Sequence, residues 1–262
     1  MNPRITSAQN PYIKHVRQLA SSSKYRQKHG QTVLDGIHLC DAYLRAGYVP
    51  ERVFVGVESL TNPEVSALLF RLDESVSVIE VPTSLYERMS VLEQGVALLF
   101  VIAVPEKSDT PALDDDALLL DAVQDPGNVG TMLRTAAAAG VRTVYLSAGS
   151  ASAWSPKVLR AGMGAHFTLT IHEGVALDSL VKNAKIPVVA TSLEATRSLY
   201  DVNLTTPHAW LFGNEGAGVS LELLNICKKD AVIIPQTDGV ESLNVAAATA
   251  VCLFEQRRQR GA

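Results

Sequence analysis

Cysteine is scarce in this 262-residue chain: Cys40, Cys227 and Cys252 stand alone, with no CxxC pair. That argues against a zinc ribbon, a disulfide frame or a redox motif, and each thiol sits in an apolar, helix-like context that suits a reduced core residue. The six histidines never fall at HxxxH or HExxH spacing, so no metal site is expected. Neither GxxxxGK[ST] nor GxGxxG occurs, which speaks against a P-loop nucleotide enzyme and a dinucleotide-dependent dehydrogenase. Long apolar runs are missing too. The most apolar helical stretch, 243–254, is too short to cross a bilayer. The opening Met1-Asn2-Pro3-Arg4 leads into no long apolar core of an export signal. The expectation is a cytoplasmic protein with no membrane segment.

Acid is absent from one region. Residues 1–30 hold Arg4, Lys14, Arg17, Lys24, Arg26 and Lys28 and no Asp or Glu, although the chain has a net charge of −4. A basic segment ahead of an acidic body is a nucleic-acid signature; a solvated amphipathic helix gives the same composition. A hydrophobic share of 47% excludes disorder as the main state.

What is present is repeated alternation of short apolar runs with helical patterns. In residues 1–105 the apolar spacing of Ile13, Val16 and Leu19 marks a helix. Residues 32–36 read as a strand into a turn, 37–46 as a helix stopped by Gly47, and 52–57, 76–81 and 96–104 as strands. Helices are expected over 64–71 and 84–89. A polar segment with a proline at each end, Pro105 and Pro111, marks a linker over 106–116. From residue 117 the alternation resumes: strands over 117–121, 143–146, 186–191, 209–213 and 231–234, and helices over 128–139, 155–161, 221–228 and 243–258, with Gly140 and Gly162 as stops. The fold class is therefore α/β: a small α/β domain over 1–105 and a second domain over 117–262 with a mostly parallel sheet covered on both faces.

Three blocks in the second half are rich in glycine and asparagine. The first contains Asp125-Pro126-Gly127-Asn128 and, six residues past Asn128, Arg134. The second is Gly213-Asn214-Glu215-Gly216-Ala217-Gly218, followed by Ser220. The third runs from Ile234-Pro235 through the turn Asp238-Gly239 to Ser242-Leu243-Asn244. Asn128 is placed to cap the helix that follows. Arg134 sits near a helix N-terminus, where the macrodipole mildly disfavours it, so it asks for an anionic partner such as a phosphate; a surface arginine covering apolar area is the alternative. Glu215 either accepts hydrogen bonds from a ribose or from Arg134, or is a solvated loop acid. Ser220 is expected to cap the helix at 221. The last helix is apolar on every face, so a subunit interface is expected to cover it, with Ala248 as a test position.

Together and in this order the blocks resemble the signature of the SpoU/TrmH family of SPOUT methyltransferases. The resemblance implies transfer of a methyl group from S-adenosylmethionine to a ribose 2′-hydroxyl of rRNA or tRNA. It also implies a homodimer and a trefoil knot formed by the chain after the sixth strand. Asn128, Arg134, Glu215 and Asn244 match the family's catalytic positions, and Gly213, Ile234 and Leu243 positions whose backbone holds the cofactor. Thr191, at the end of a neighbouring strand, is expected to join that pocket. Residues 4–105 resemble the family's ribosomal-protein-like substrate-binding domain, which would present Lys14, Arg17, Lys24, Arg26 and Lys28 to RNA. A non-catalytic RNA-binding or ribosome-assembly factor that keeps the fold is the alternative.

Overall fold

The computed structural model describes residues 3–91, 95–106, 112–237 and 242–261. The expected linker core at 107–111 and the Asp238-Gly239 turn lie outside them. Two compact units divide the chain: Met1–Glu106 with Trp154–Phe167, and Lys107–Ala153 with Thr168–Ala262.

The first unit begins with α1 (Pro11–Ser21), whose Asn10 accepts from the Tyr12 amide and whose proline opens the first turn, both strong start signals. Ile13, Val16 and Leu19 turn one face inward. A second helix, α2 (Ser23–His29), is capped by Ser22 and stopped by left-handed Gly30; its single buried residue leaves no apolar periodicity to read. Then come β1 (Gln31–Asp35), α3 (Ile37–Arg45), β2 (Arg52–Gly56), α4 (Pro63–Phe70), β3 (Ser77–Val81), α5 (Thr83–Tyr86) and β4 (Leu98–Ala103). The sheet order is β1-β4-β2-β3; β4 runs antiparallel to both neighbours and β2 parallel to β3. The return segment adds α7 (Pro156–Gly162), which packs on β1. Buried Thr32 donates its hydroxyl to the Trp154 carbonyl at 2.8 Å. The sequence reading kept this segment with the second half, because pairing across so many residues leaves no local signal. The helix ends at Gly162 as expected, and the left-handed positions that follow are Met163 and Gly164.

The second unit is built on β5 (Ala117–Leu120), α6 (Pro126–Ala139), β6 (Thr143–Leu146), β7 (Thr170–Glu173), α8 (Leu177–Lys182), β8 (Val188–Ala190), β9 (Ala209–Phe212), α9 (Leu221–Cys227) and α10 (Val245–Gln259). Its five strands are all parallel, in the order β7-β6-β5-β9-β8. Leu211 shares a core with Leu177, Val181 and Leu223 of α8 and α9. Its neighbour Trp210 faces the other way and donates to Gln256 of α10, which packs on α6. Helices therefore cover both faces, as expected. All three cysteines are buried and unbonded, and no helix among the described residues is long and apolar enough to cross a membrane.

Two short elements, β7 and α8, escape the sequence reading. The expected strand at 231–234 is not a strand. Val232 exchanges hydrogen bonds with Ala190 and Ser192, Ile233 with Arg197 and Leu199, at 2.8–3.0 Å, and these remain isolated parallel bridges. Successive residues pair on opposite flanks, so neither flank develops a ladder.

Candidate active site

Leu120 stands level with Leu146 on one side and Phe212 on the other. The loops after β5, β6 and β9 thus leave the sheet at a common carboxyl edge. The chain moves outward from β5 through β6 to β7, then returns to build β9 and β8 on its other flank. Such a switch point opens a crevice at the carboxyl ends of the strands.

The first block starts α6, but Asn128 is not its cap. Asp125 is, accepting from the Asn128 amide at 2.8 Å, with Pro126 in the first turn. The reason is spacing: a cap accepts from the amide two or three residues on, and Asp125 sits there. The Asn128 side chain is left for tertiary work. Its Nδ2 donates to Glu215 Oε1 at 3.1 Å, and its Oδ1 accepts from Asn244 Nδ2 at 3.0 Å. Asn244 in turn caps α10, its Oδ1 accepting from the Ala246 and Ala247 amides. One chain of side chains therefore ties the three blocks together, although 116 residues separate Asn128 from Asn244.

Glu215 is an exposed loop acid held by hydrogen bonds, and Arg134 is not among its partners. Its carboxylate accepts from the Asp125 amide at 2.9 Å, the Gln124 amide at 3.1 Å and Asn128. Burial pulls its carboxyl upward, but these donors together outweigh burial and hold it below the ordinary carboxylate range. An acceptor this occupied and this acidic is a poor general base.

The second block is a tight loop. Asn214 and Gly218 exchange backbone hydrogen bonds at 2.9 and 2.8 Å. The Asn214 Oδ1 accepts from the Gly216 and Ala217 amides, both at 3.0 Å, and its Nδ2 donates to the Ala122 carbonyl at 2.9 Å. Gly213 has no room for a side chain: a Cβ there would lie 2.0 Å from the Gly218 carbonyl carbon. Ser220 precedes α9, yet its side chain makes no capping bond; its amide donates to Asp121 at 2.9 Å instead. Asn214, Asp121 and Asp125 organise the site and were not singled out from sequence. The one available signal was an Asp three residues before Asn128, directly preceding a proline.

Thr191, Gly213, Ile234 and Leu243 line one cleft of about 730 Å³, shared with Glu215 and Asn244. Its volume suits a nucleoside-sized ligand. Asn128 and Arg134 are not in its lining. Arg134 is exposed on α6 and has no hydrogen bond or ion pair among the described residues. Six residues past Asn128, it lies about 9 Å further along the helix and on another face.

Comparison with known proteins decides the family. A model of the SpoU rRNA Methylase family matches residues 116–254, and a model of the MRM3-like substrate binding domain matches residues 10–99. An uncharacterised tRNA/rRNA methyltransferase of Synechocystis is 36% identical over 98% of this chain and 94% of its own. The 23S rRNA (guanosine(2553)-2′-O)-methyltransferase of Bacillus subtilis is 31% identical, covering 97% of this chain and 99% of its own. The AdoMet-bound rRNA methyltransferase from Sinorhizobium meliloti superposes with a TM-score of 0.84 at 28% identity, over 97% of each chain.

The chain belongs to the SpoU rRNA methylase family. Its reaction is methyl transfer from S-adenosylmethionine to a ribose 2′-hydroxyl of RNA. The cleft of this SpoU methylase has a lining consistent with that cofactor. Leu193, Leu221 and Leu224 supply apolar wall, and the chain around Gly213 and Ile234 supplies backbone polar groups.

The basic segment of this SpoU methylase needs one correction. Lys14, Arg17, Lys24 and Lys28 are exposed. Arg26 is buried and donates to the Leu19 carbonyl at 2.8 Å. It ties α2 to the end of α1 and does not face solvent, because the cap at Ser22 folds α2 back onto α1.

Proposed function

We propose that this SpoU methylase acts on ribosomal RNA as a cytoplasmic homodimer. Thr191, Gly213, Ile234 and Leu243 hold S-adenosylmethionine, and Arg134 stabilises the ribose oxygen as it loses its proton. The observation that carries this reading is the Glu215–Asn128–Asn244 chain at the mouth of the cleft. It locks the loops after β5 and β9 to the start of α10 before substrate arrives. Preorganisation of that kind is what an in-line displacement requires. The sulfonium methyl is already activated, so the protein's task is to place the hydroxyl and offset its developing charge. Glu215 does not take the proton; it orients Asn128 and the start of α6. Arg134 supplies a positive charge that has no partner among the described residues.

The knot expected from sequence has support in the bridges at 232–233. The segment 190–199 passes from one flank of Val232 to the opposite flank of Ile233, which suits a chain threaded through a loop.

The dimer reading rests on α10. Ala247, Val251 and Phe254 follow one another on its outer side at four- and three-residue spacing. Ala247 is exposed, Val251 is partly exposed, and Phe254 keeps 47% of its surface open. A second copy covers this stripe. Because α10 packs on α6, such a partner also comes beside the helix that bears Arg134. Ala248, the test position chosen from sequence, lines the cleft instead; Phe254 is the better probe. Phe254→Glu should convert a dimer to a monomer at micromolar concentration by light scattering, with the circular dichroism spectrum unchanged. A wild-type protein that is itself monomeric would overturn the dimer reading.

The function is tested in two steps. Calorimetry should show S-adenosylmethionine binding to the wild-type protein and not to Gly213→Ala, whose added Cβ displaces the loop. Incubation with methyl-labelled cofactor and undermethylated total RNA should then label ribosomal RNA at a ribose 2′-oxygen. Cofactor-free heats would refute the pocket assignment. RNA binding without any label transfer would favour the non-catalytic assembly factor.

A further inference from the structure

The first unit contains a second cleft, of about 490 Å³, lined in part by Lys14 and Arg17 of the basic segment. Lys14 and Arg17 enter it from α1, and Arg88 enters from the turn after α5. Lys14 and Arg17 are three residues apart on a helix, hence neighbours on one face, while Ile13 and Val16 take the core side. All three residues are exposed, and none of their charged groups has an ion pair or hydrogen bond among the described residues. The remaining lining includes Gln18, Ser21 and Ser90, and no carboxylate among the described residues. Three unpaired cations around one concavity repel one another, and an anion relieves that cost.

The Arg88 side of the cleft is held in place from beneath. Asp35, at the end of β1, accepts from the Tyr86 hydroxyl at 2.6 Å, the Ser90 hydroxyl at 2.6 Å and the Val91 amide at 2.8 Å. Met89 is buried between them, and its amide closes the turn onto the Tyr86 carbonyl at 2.7 Å. The Asp35-Gly36 strand end seen in the sequence therefore acts as an anchor for the turn that displays Arg88. Sequence reading did not single out Arg88, since it lies far along the chain from the basic segment.

We propose that this cleft seats the phosphodiester backbone of the substrate RNA, with Lys14, Arg17 and Arg88 each facing a phosphate and Asp35 as a positioning residue. The proposal rests on the reading of the protein as an RNA methyltransferase. Its recognition is of charge and backbone, so a mixed-sequence RNA hairpin is an adequate probe.

The test is a fluorescence-anisotropy titration of a labelled mixed-sequence hairpin with the full-length protein, between about 50 and 200 mM salt. Arg88→Ala should weaken binding several-fold and reduce the salt slope by about one. The triple variant Lys14→Ala, Arg17→Ala, Arg88→Ala should reduce the slope by about two to three and lower affinity by about a hundred-fold at low salt. Lys182→Ala makes the same charge change outside the cleft, where Lys182 pairs with Asp178 at 3.5 Å, and should bind as wild type. A triple variant with wild-type affinity and slope would overturn the proposal. So would a Lys182→Ala protein that weakens as much as Arg88→Ala, which would mean a general charge effect. Displacement of the hairpin by low-millimolar inorganic phosphate would mark a small-anion site and also overturn it. Calorimetry with S-adenosylmethionine on the same proteins separates the two readings. Loss of RNA affinity without cofactor binding in any protein would leave the cleft standing and remove the methyltransferase assignment.

Discussion

Arg134→Ala should lower single-turnover methyl transfer by about a hundred-fold or more while leaving S-adenosylmethionine affinity within a few-fold. The scale is that of removing one preorganised charge donor from a developing oxyanion. The split between rate and affinity follows from position: Arg134 lies outside the lining of the cleft, whereas Gly213, Glu215 and Leu243 are in it. The side chain has no structural partner to lose among the described residues and is exposed, so the variant should melt like wild type. Arg134→Lys separates two roles. If positive charge suffices, lysine retains part of the rate; if the planar fork must orient the hydroxyl, lysine matches alanine. Wild-type rates in Arg134→Ala would refute the role of this residue outright.

Glu215→Ala should cost nearly as much, but by a different route. It removes the acceptor shared by the Gln124 and Asp125 amides and the Asn128 side chain, and so loosens the start of α6 and the loop after β9 together. Methyl transfer should fall by about a hundred-fold, and cofactor affinity should fall with it, because the same loop lines the cleft. Glu215→Gln is the sharper variant. It keeps the shape but turns an amide N–H toward one of these donors, so it should recover only part of the loss. The pH dependence gives an independent check. The folded carboxyl is held below the ordinary range. Its ionised form and the hydrogen bonds it accepts therefore persist above the ordinary carboxylate pKa and are lost only as pH falls through the lower folded value. The pH–rate profile should show no limb from Glu215 between about pH 5 and 8. A wild-type limb in that range that disappears in Glu215→Gln would mean that Glu215 transfers a proton, contrary to the role proposed here.

The chain of side chains from Glu215 to Asn244 shows where sequence reasoning stopped. Asn128, Glu215 and Asn244 were recognisable as a set from the three blocks, and their presence at one site follows from strands that end level at a carboxyl edge. Their partners were not recognisable. Asn128 looked like a cap because asparagine before an apolar helix usually is one; Asp125 takes that role, and only the approach of the loop after β9 and the start of α10 gives the Asn128 amide two tertiary partners. Ser220 likewise makes no capping bond, and its backbone amide is instead recruited by Asp121 from 99 residues away.

By itself the sequence determined the α/β class, the parallel sheet of the second unit, most helices and strands, and the family. The class, the sheet and the elements follow from local periodicity, capping residues and the glycines that must stand at turns, all of which act over a few residues; the family follows from the resemblance of the three blocks to its signature. Tertiary structure alone decided that Arg26 is buried, that α7 packs on β1, that Arg88 joins Lys14 and Arg17, and that the segment at 231–234 makes bridges on two flanks and no strand. Each of these depends on contacts between residues far apart in the chain. Nothing in a local pattern encodes which distant donor or carbonyl will arrive within hydrogen-bond distance; that is set only when the packed elements bring their loops together.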